Sequence, residues 1–161
     1  MRKRLHLVAF PLAGITLIAS WLIFFLFPPV DFHRVLFILG NVCVAFGVLL
    51  IVLAISTLRS RGDSSQGAEF TATSRVVRTG IYSIVRHPLY LGWLFMYPAV
   101  MILSLHWLVW VLGFIGMGCM VLIVIEGETQ LLEKFGSDYR AYMQEVPRFN
   151  LLLGLWRNMR S

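Results

Sequence analysis

The chain has 161 residues, 58% of them hydrophobic and only 14% charged, with a mean hydropathy of +0.79. That excludes an ordinary water-soluble domain and points to an all-α polytopic membrane protein of one domain over 1–161. Lys and Arg outnumber Asp and Glu by 14 to 8. The surplus flanks apolar stretches, which argues for membrane lipids as partners and against nucleic acid.

A bilayer core about 30 Å thick takes about 20 helical residues to cross. Residues 7–27 and 35–58 each meet that length. The first stretch follows a basic start, as a signal peptide does. It is too long for a signal core and lacks a small-residue cleavage site before Phe27-Pro28-Pro29, so it reads as a retained span. A third apolar stretch, 89–125, would run to about 55 Å as one helix. The polar pair Ser104 and His106 divides it into spans at 89–104 and 107–125, a tight helical hairpin. Backbone polar groups in lipid must be satisfied within the segment, so these spans are helices.

Basic residues set the orientation. Arg2, Lys3 and Arg4 precede the first span, Arg59, Arg61, Arg75, Arg78 and Arg86 lie between the second and third, and Lys134, Arg140, Arg148, Arg157 and Arg160 follow the fourth. Arg34 stands alone on the opposite side, which predicts an integral membrane protein with both termini and the crowded face cytoplasmic. Cys43 and Cys119 fall inside predicted helices without paired spacing. They suggest neither a disulfide nor a metal site, and read as buried, inert thiols.

The non-cytoplasmic side offers only the turns at 27–33 and at His106. Polar chemistry gathers instead on the other side, in the segment 59–88 and the tail 126–161. The segment opens with a Gly- and Ser-rich linker over 59–67 and ends in Gly80-x-Tyr82-x-x-Val85-Arg86-His87-Pro88-x-Tyr90-x-Gly92. Pro88 suits the first position of a helix. Arg86 and His87 then sit beside unpaired amide donors at the positive end of the dipole, a place that favours anions. In the tail, Glu126 and Glu128 are followed by Leu131, Phe135, Tyr139, Tyr142 and Val146 at helical spacing. This predicts a C-terminal amphipathic helix, bent near Gly136 and stopped by Pro147. Residues 149–156 are apolar but too short to span, and read as an interfacial anchor.

The first motif, the span pair, and then Glu128-x-x-x-x-x-x-Phe135-Gly136-x-x-Tyr139-x-x-Tyr142-x-x-x-Val146-Pro147-Arg148 together resemble the integral-membrane methyltransferases. These include the isoprenylcysteine carboxyl methyltransferases and phospholipid N-methyltransferases. The resemblance covers about residues 76–150. It implies a helical enzyme that uses S-adenosyl-L-methionine without a Rossmann domain. The chain's Gly113-x-x-Gly116-x-Gly118 lies inside a span and reads as helix packing. By the same resemblance Arg86, His87, Tyr90, Gly92, Glu126, Glu128 and Tyr139 bind the cofactor, and His87, Glu128 and Arg148 are the catalytic candidates. The family's Glu-Glu pair appears here as Gly127-Glu128, with Glu126 one residue earlier.

These residue types suit the chemistry. Arginine and helix-start amides bind a carboxylate, a glutamate accepts from an ammonium or ribose hydroxyls, and tyrosines pack on adenine or face a sulfonium. A carboxylate acceptor needs no base, whereas a thiol or an ammonium must lose a proton, for which His87 or Glu128 is the acceptor. A lipophilic acceptor would enter from the bilayer. Isoprenylcysteine-like carboxylate, phospholipid amine and small thiol all stay open.

Each residue also has a structural alternative: Arg86 as a positive-inside anchor, His87 as a helix cap, and both glutamates as solvated charges. Tyr82, Tyr90, Tyr97, Trp93, Trp107 and Trp110 double as belt or packing residues. His6, His33 and His106 read as structural. For the whole chain, the alternative is a non-catalytic membrane scaffold or lipid-binding subunit that retains the fold.

Overall fold

The structure is a computed structural model that describes residues 2–30, 33–61 and 75–160, with side chains from residue 7 onward. Asp31 and Phe32 of the expected turn, residues 62–67 of the expected linker, and the side chains of Arg2, Lys3, Arg4 and His6 lie outside the described residues, while residues 59–61 of that linker are the last turn of a helix. The described chain is helical: α1 (Arg2–Leu26), α2 (Arg34–Arg61), a 3-10 turn (Gly80–Ser83), α3 (Pro88–Ser104), α4 (Trp107–Phe135), α5 (Ser137–Glu145) and α6 (Leu151–Asn158).

Among the described residues, three helical segments are long and apolar enough to cross a membrane: Leu7–Leu26, Arg34–Arg61 and Trp107–Phe135. The shorter apolar helix α3 has 17 residues and so reaches about 26 Å, a shortfall that local bilayer thinning accommodates. This is the all-α polytopic membrane protein expected from the composition. Its exposed surface carries Phe10, Ile15, Ile18, Phe25, Phe114 and Ile115, side chains that lipid rather than water would cover.

Helix ends follow local chemistry. Arg59 and Arg61 lie in the last turn of α2, where cations complement the dipole. Between α3 and α4 the chain reverses at Leu105, whose φ is 52°, and His106. The Nδ1 of His106 accepts the Leu108 amide at 3.2 Å, so this histidine caps α4. The fourth helix runs further than its apolar stretch, to Phe135 rather than ending at 125. Nothing in Glu126-Gly127-Glu128-Thr129-Gln130-Leu131 breaks a helix beyond the roughly 1 kcal/mol of one interior glycine. The break comes at Gly136, at φ 57°, a region that side chains disfavour. A separate tail helix therefore begins at Ser137.

Contacts divide the chain into two units, Met1–Val48 with Gly92–Gly127, and Leu49–Leu91 with Glu128–Ser161. In the first, Tyr97 is fully buried and its hydroxyl donates to the Ala13 carbonyl at 2.8 Å. Thr16 donates to the same carbonyl at 2.9 Å, so these polar groups are satisfied without water. Gly116 lies under the Tyr97 ring, where a Cβ would come within 2.3 Å of it, and Gly113 lies against Met101. Gly118 faces open space, so two of the three span glycines serve packing. Cys119 is buried and Cys43 only half-buried.

In the second unit the stripe read from the sequence continues across the Gly136 break. Tyr139, Tyr142 and Val146 are buried, with Leu131, Leu132, Phe135, Met143 and Val76 packed against them. A second cluster joins Ala54, Leu58, Val77 and Tyr82, flanked by Ile81 and Leu89. The Tyr142 hydroxyl donates to the Tyr82 carbonyl at 2.6 Å, which fixes the 3-10 turn beside α5. α6 is capped by Asn150, whose side chain accepts the Leu153 amide at 3.0 Å, an N-cap of the usual kind.

Candidate functional site

Proline at 88 opens α3, and the His87 carbonyl accepts the Leu91 amide at 2.9 Å as the first helical bond. Proline disfavours helical backbone in the residue before it, so Arg86 and His87 stay outside the helix. The Arg86 amide donates to the Pro147 carbonyl at 3.0 Å, which ties this corner to the end of α5.

Glu128 gathers the polar groups. Its Oε1 lies 2.9 Å from Arg86 Nη2 and accepts His87 Nε2 at 3.1 Å. Its Oε2 accepts Arg148 Nε at 3.1 Å and also pairs with Arg148 Nη2. Side-chain exposure is 4% for Glu128, 7% for Arg86 and 8% for His87, against 39% for Arg148. Arg86 Nη1 also donates to the Met143 carbonyl at 2.8 Å, near the negative end of the α5 dipole.

A carboxylate only accepts hydrogen bonds, so His87 presents Nε2–H to Glu128 and keeps its lone pair on Nδ1. Burial holds the His87 pKa below the usual imidazole range; the Glu128 hydrogen bond and charge oppose that shift, and Arg86 and Arg148 reinforce it. The histidine is therefore neutral, and one carboxylate stands between two guanidiniums. That leaves a surplus of positive charge beside the buried Glu128, with Arg148 partly exposed, suited to a further anionic group.

Aromatic rings enclose the imidazole. Tyr90 lies 6.1 Å away, edge-on, and Phe149 lies 6.2 Å away. Tyr139, 3% exposed, has its phenol pKa pushed up to about 12 by burial and by the Glu128 charge, so it remains a donor. Among the described residues its hydroxyl and Arg86 Nε are buried without a hydrogen-bond partner. Native interiors rarely leave such donors unmet, and a ligand is one way of meeting them.

Of the residues singled out from the sequence, Arg86, His87, Glu128 and Arg148 meet directly, with Tyr90 beside His87. Tyr139 belongs to the same unit, in the cluster with Tyr142 and Val146. Gly92 and Glu126 belong to the first unit. The Gly92 carbonyl closely faces Gly47, where a Cβ would come within 2.8 Å of it. Glu126 is buried, and neither of its carboxylate oxygens has a hydrogen-bond partner among the described residues. Both glutamates lie on α4, where two positions amount to a rotation of about 200°. Glu126 thus leaves the helix on nearly the opposite side from Glu128.

Sequence reasoning missed two supports. Phe149, read as part of an anchor, contacts the His87 ring. Arg78, read only as a topological charge, donates to the Asp138 carbonyl and lies over the Tyr142 ring at 5.7 Å. Neither carries a sequence signal, because both contacts depend on chain segments brought together by folding.

Comparison with known proteins gives two findings. The phospholipid methyltransferase family matches residues 35–138. That stretch includes Arg86, His87, Tyr90, Gly92, Glu126 and Glu128, while Tyr139 and Arg148 lie beyond it. The chain is also 26% identical over 141 residues to the protein-S-isoprenylcysteine O-methyltransferase of Dictyostelium discoideum, an alignment covering 82% of this chain and 56% of that protein. The chain thus spans little more than half the length of this relative. No solved structure matches.

Proposed function

The chain belongs to the phospholipid methyltransferase family, and from that membership we propose that it transfers a methyl group from S-adenosyl-L-methionine to a lipophilic or membrane-resident acceptor. The observation that carries this reading is the buried Glu128 bound by Arg86, His87 and Arg148, with two buried donors, Arg86 Nε and the Tyr139 hydroxyl, that no described residue satisfies. The cofactor presents a carboxylate, and the donor set fits it. Arg86 Nε and the Tyr139 hydroxyl supply hydrogen bonds, and the second guanidinium supplies the balancing charge. When bound, S-adenosyl-L-methionine supplies an electrophilic methyl group on a sulfonium.

The residues of this chain then bind and align. Arg86 and Arg148 hold Glu128 fixed, Glu128 fixes the His87 tautomer, and Tyr90 and Phe149 flank the ring. Such preorganisation is where much of the acceleration of a two-reactant displacement arises. The Dictyostelium relative is named an O-methyltransferase, and an acceptor oxygen that is already a carboxylate needs no base. An amine or thiol acceptor must first lose a proton, and we assign that role to the Nδ1 lone pair of His87. Of the acceptor classes, we favour a lipid-borne group delivered from the bilayer. We also propose that the basic face, with both termini and the Glu128 cluster, is cytoplasmic.

The test is transfer from methyl-labelled cofactor into extracted membrane lipid by the purified protein in nanodiscs, alongside His87→Asn and Glu128→Gln. We expect labelled lipid with the native chain and a loss of at least about 100-fold in both variants, the scale of a lost acid–base or positioning group. Cofactor should also raise the melting temperature, as any ligand bound only by the folded state does. No transfer and no thermal shift at millimolar cofactor would leave a non-catalytic scaffold as the reading.

A further inference from the structure

We propose that α6 lies flat on an anionic lipid surface and that this contact holds residues 147–157 against the Glu128 cluster. The inference stands on the geometry of α6 and is independent of methyl transfer. Leu152, Leu155, Trp156 and Met159 are 81%, 45%, 51% and 85% exposed. Their spacing puts them on one helical face, while Gly154 on the inner face is buried. With 8 residues, α6 is about 12 Å long, far too short to cross a bilayer but suited to lying in the interface.

The charge pattern selects the occupant. From Arg148 to Arg160 the chain has three arginines and no acidic residue. The Arg160 guanidinium sits 3.9 Å from the centroid of the Trp156 ring, pairing a basic head with an interfacial aromatic. An exposed apolar face that ends in Arg160, with no acidic residue from 148 to 160, complements acyl chains below a negatively charged headgroup layer.

The inner side of the same segment is built from contacts with the site. Pro147 accepts the Arg86 amide, Arg148 pairs with Glu128, and Phe149 packs beside His87. A Cβ on Gly154 would stand 1.8 Å from the Ile84 carbonyl oxygen, so α6 rests on backbone two residues before Arg86. Arg157 clamps the carbonyls of Gln144 and Glu145 at 3.1 Å each. Lifting α6 from a lipid surface therefore loosens the groups that position Arg86 and His87.

The experiment uses the full chain in nanodiscs of phosphatidylcholine, with or without phosphatidylglycerol, carrying lipid brominated near the headgroup end of the acyl chain. The Trp156 signal is the difference between the native chain and Trp156→Phe. We expect bromolipid to quench it, more strongly with phosphatidylglycerol, and high salt to reverse the increase. Leu152→Gln, at an exposed position that folding does not require, should abolish the quenching. It should also accelerate hydrogen exchange of the Arg86 amide by about tenfold or more. The proposal is overturned by a Trp156 signal that bromolipid leaves untouched, by quenching indifferent to phosphatidylglycerol, or by cross-linking of α6 to a second copy. Unchanged Arg86 exchange in Leu152→Gln overturns the coupling to the site.

Discussion

At the scale of single residues, the proposed chemistry rests on the buried, hydrogen-bonded pair Glu128 and His87. Removing one partner of a buried ion pair strands the other charge, at a cost of about 3–5 kcal/mol. Glu128→Gln should approach that loss, because Arg86 is as buried as the carboxylate it faces, while the half-exposed Arg148 adds little. Equilibrium unfolding in detergent micelles checks this, and a change under about 1 kcal/mol would mean that solvent already screens the pair. The neutral His87 gives a pH signature. Its folded pKa lies below the ordinary value, chiefly through burial, so as pH falls the unfolded chain takes up the proton first. Stability therefore declines on acidification below about 6.5 and is insensitive to this group above about 7.5. Melting curves of the native chain and His87→Asn between pH 5 and 8 should diverge with that sign.

At the scale of elements, two glycines distinguish contact from mere tolerance. Gly154 presses α6 onto the Ile84 carbonyl, and an obstruction made of backbone cannot rotate away. Gly154→Ala should cost about 1–3 kcal/mol, the range for overpacking, and open α6 to protease. Gly127, inside α4, meets nothing within 4 Å. Gly127→Ala should leave stability unchanged or raise it by up to about 1 kcal/mol through helix propensity alone. The melting temperature should fall in Gly154→Ala and hold or rise in Gly127→Ala. The same logic explains the length of α4. Apolar content ends near residue 125, but the helix needs only unbroken backbone geometry, and that lasts until Gly136 with its positive φ.

For the molecule as a whole, the proposed orientation predicts that a fluorescent protein fused after residue 161 is bright and that alkaline phosphatase fused there is inactive. The reverse pattern would put the basic face outside the cytoplasm. Apolar runs, prolines and the placing of basic residues were legible in the chain because they are local quantities: a membrane selects helices by length and lack of charge, whatever their neighbours. The stripe from Leu131 to Val146 was legible for the same reason, as helical periodicity survives a bend. The sequence by itself thus determined the class of protein, its apolar helices, and the residue types able to meet a charged cofactor. Tertiary structure alone decided which of those residues touch. It joined Arg86, His87 and Arg148 on Glu128 across separations of up to 42 residues in the chain, and brought Phe149 to His87. Burial and long-range pairing are sums over distant segments, and no local pattern carries them.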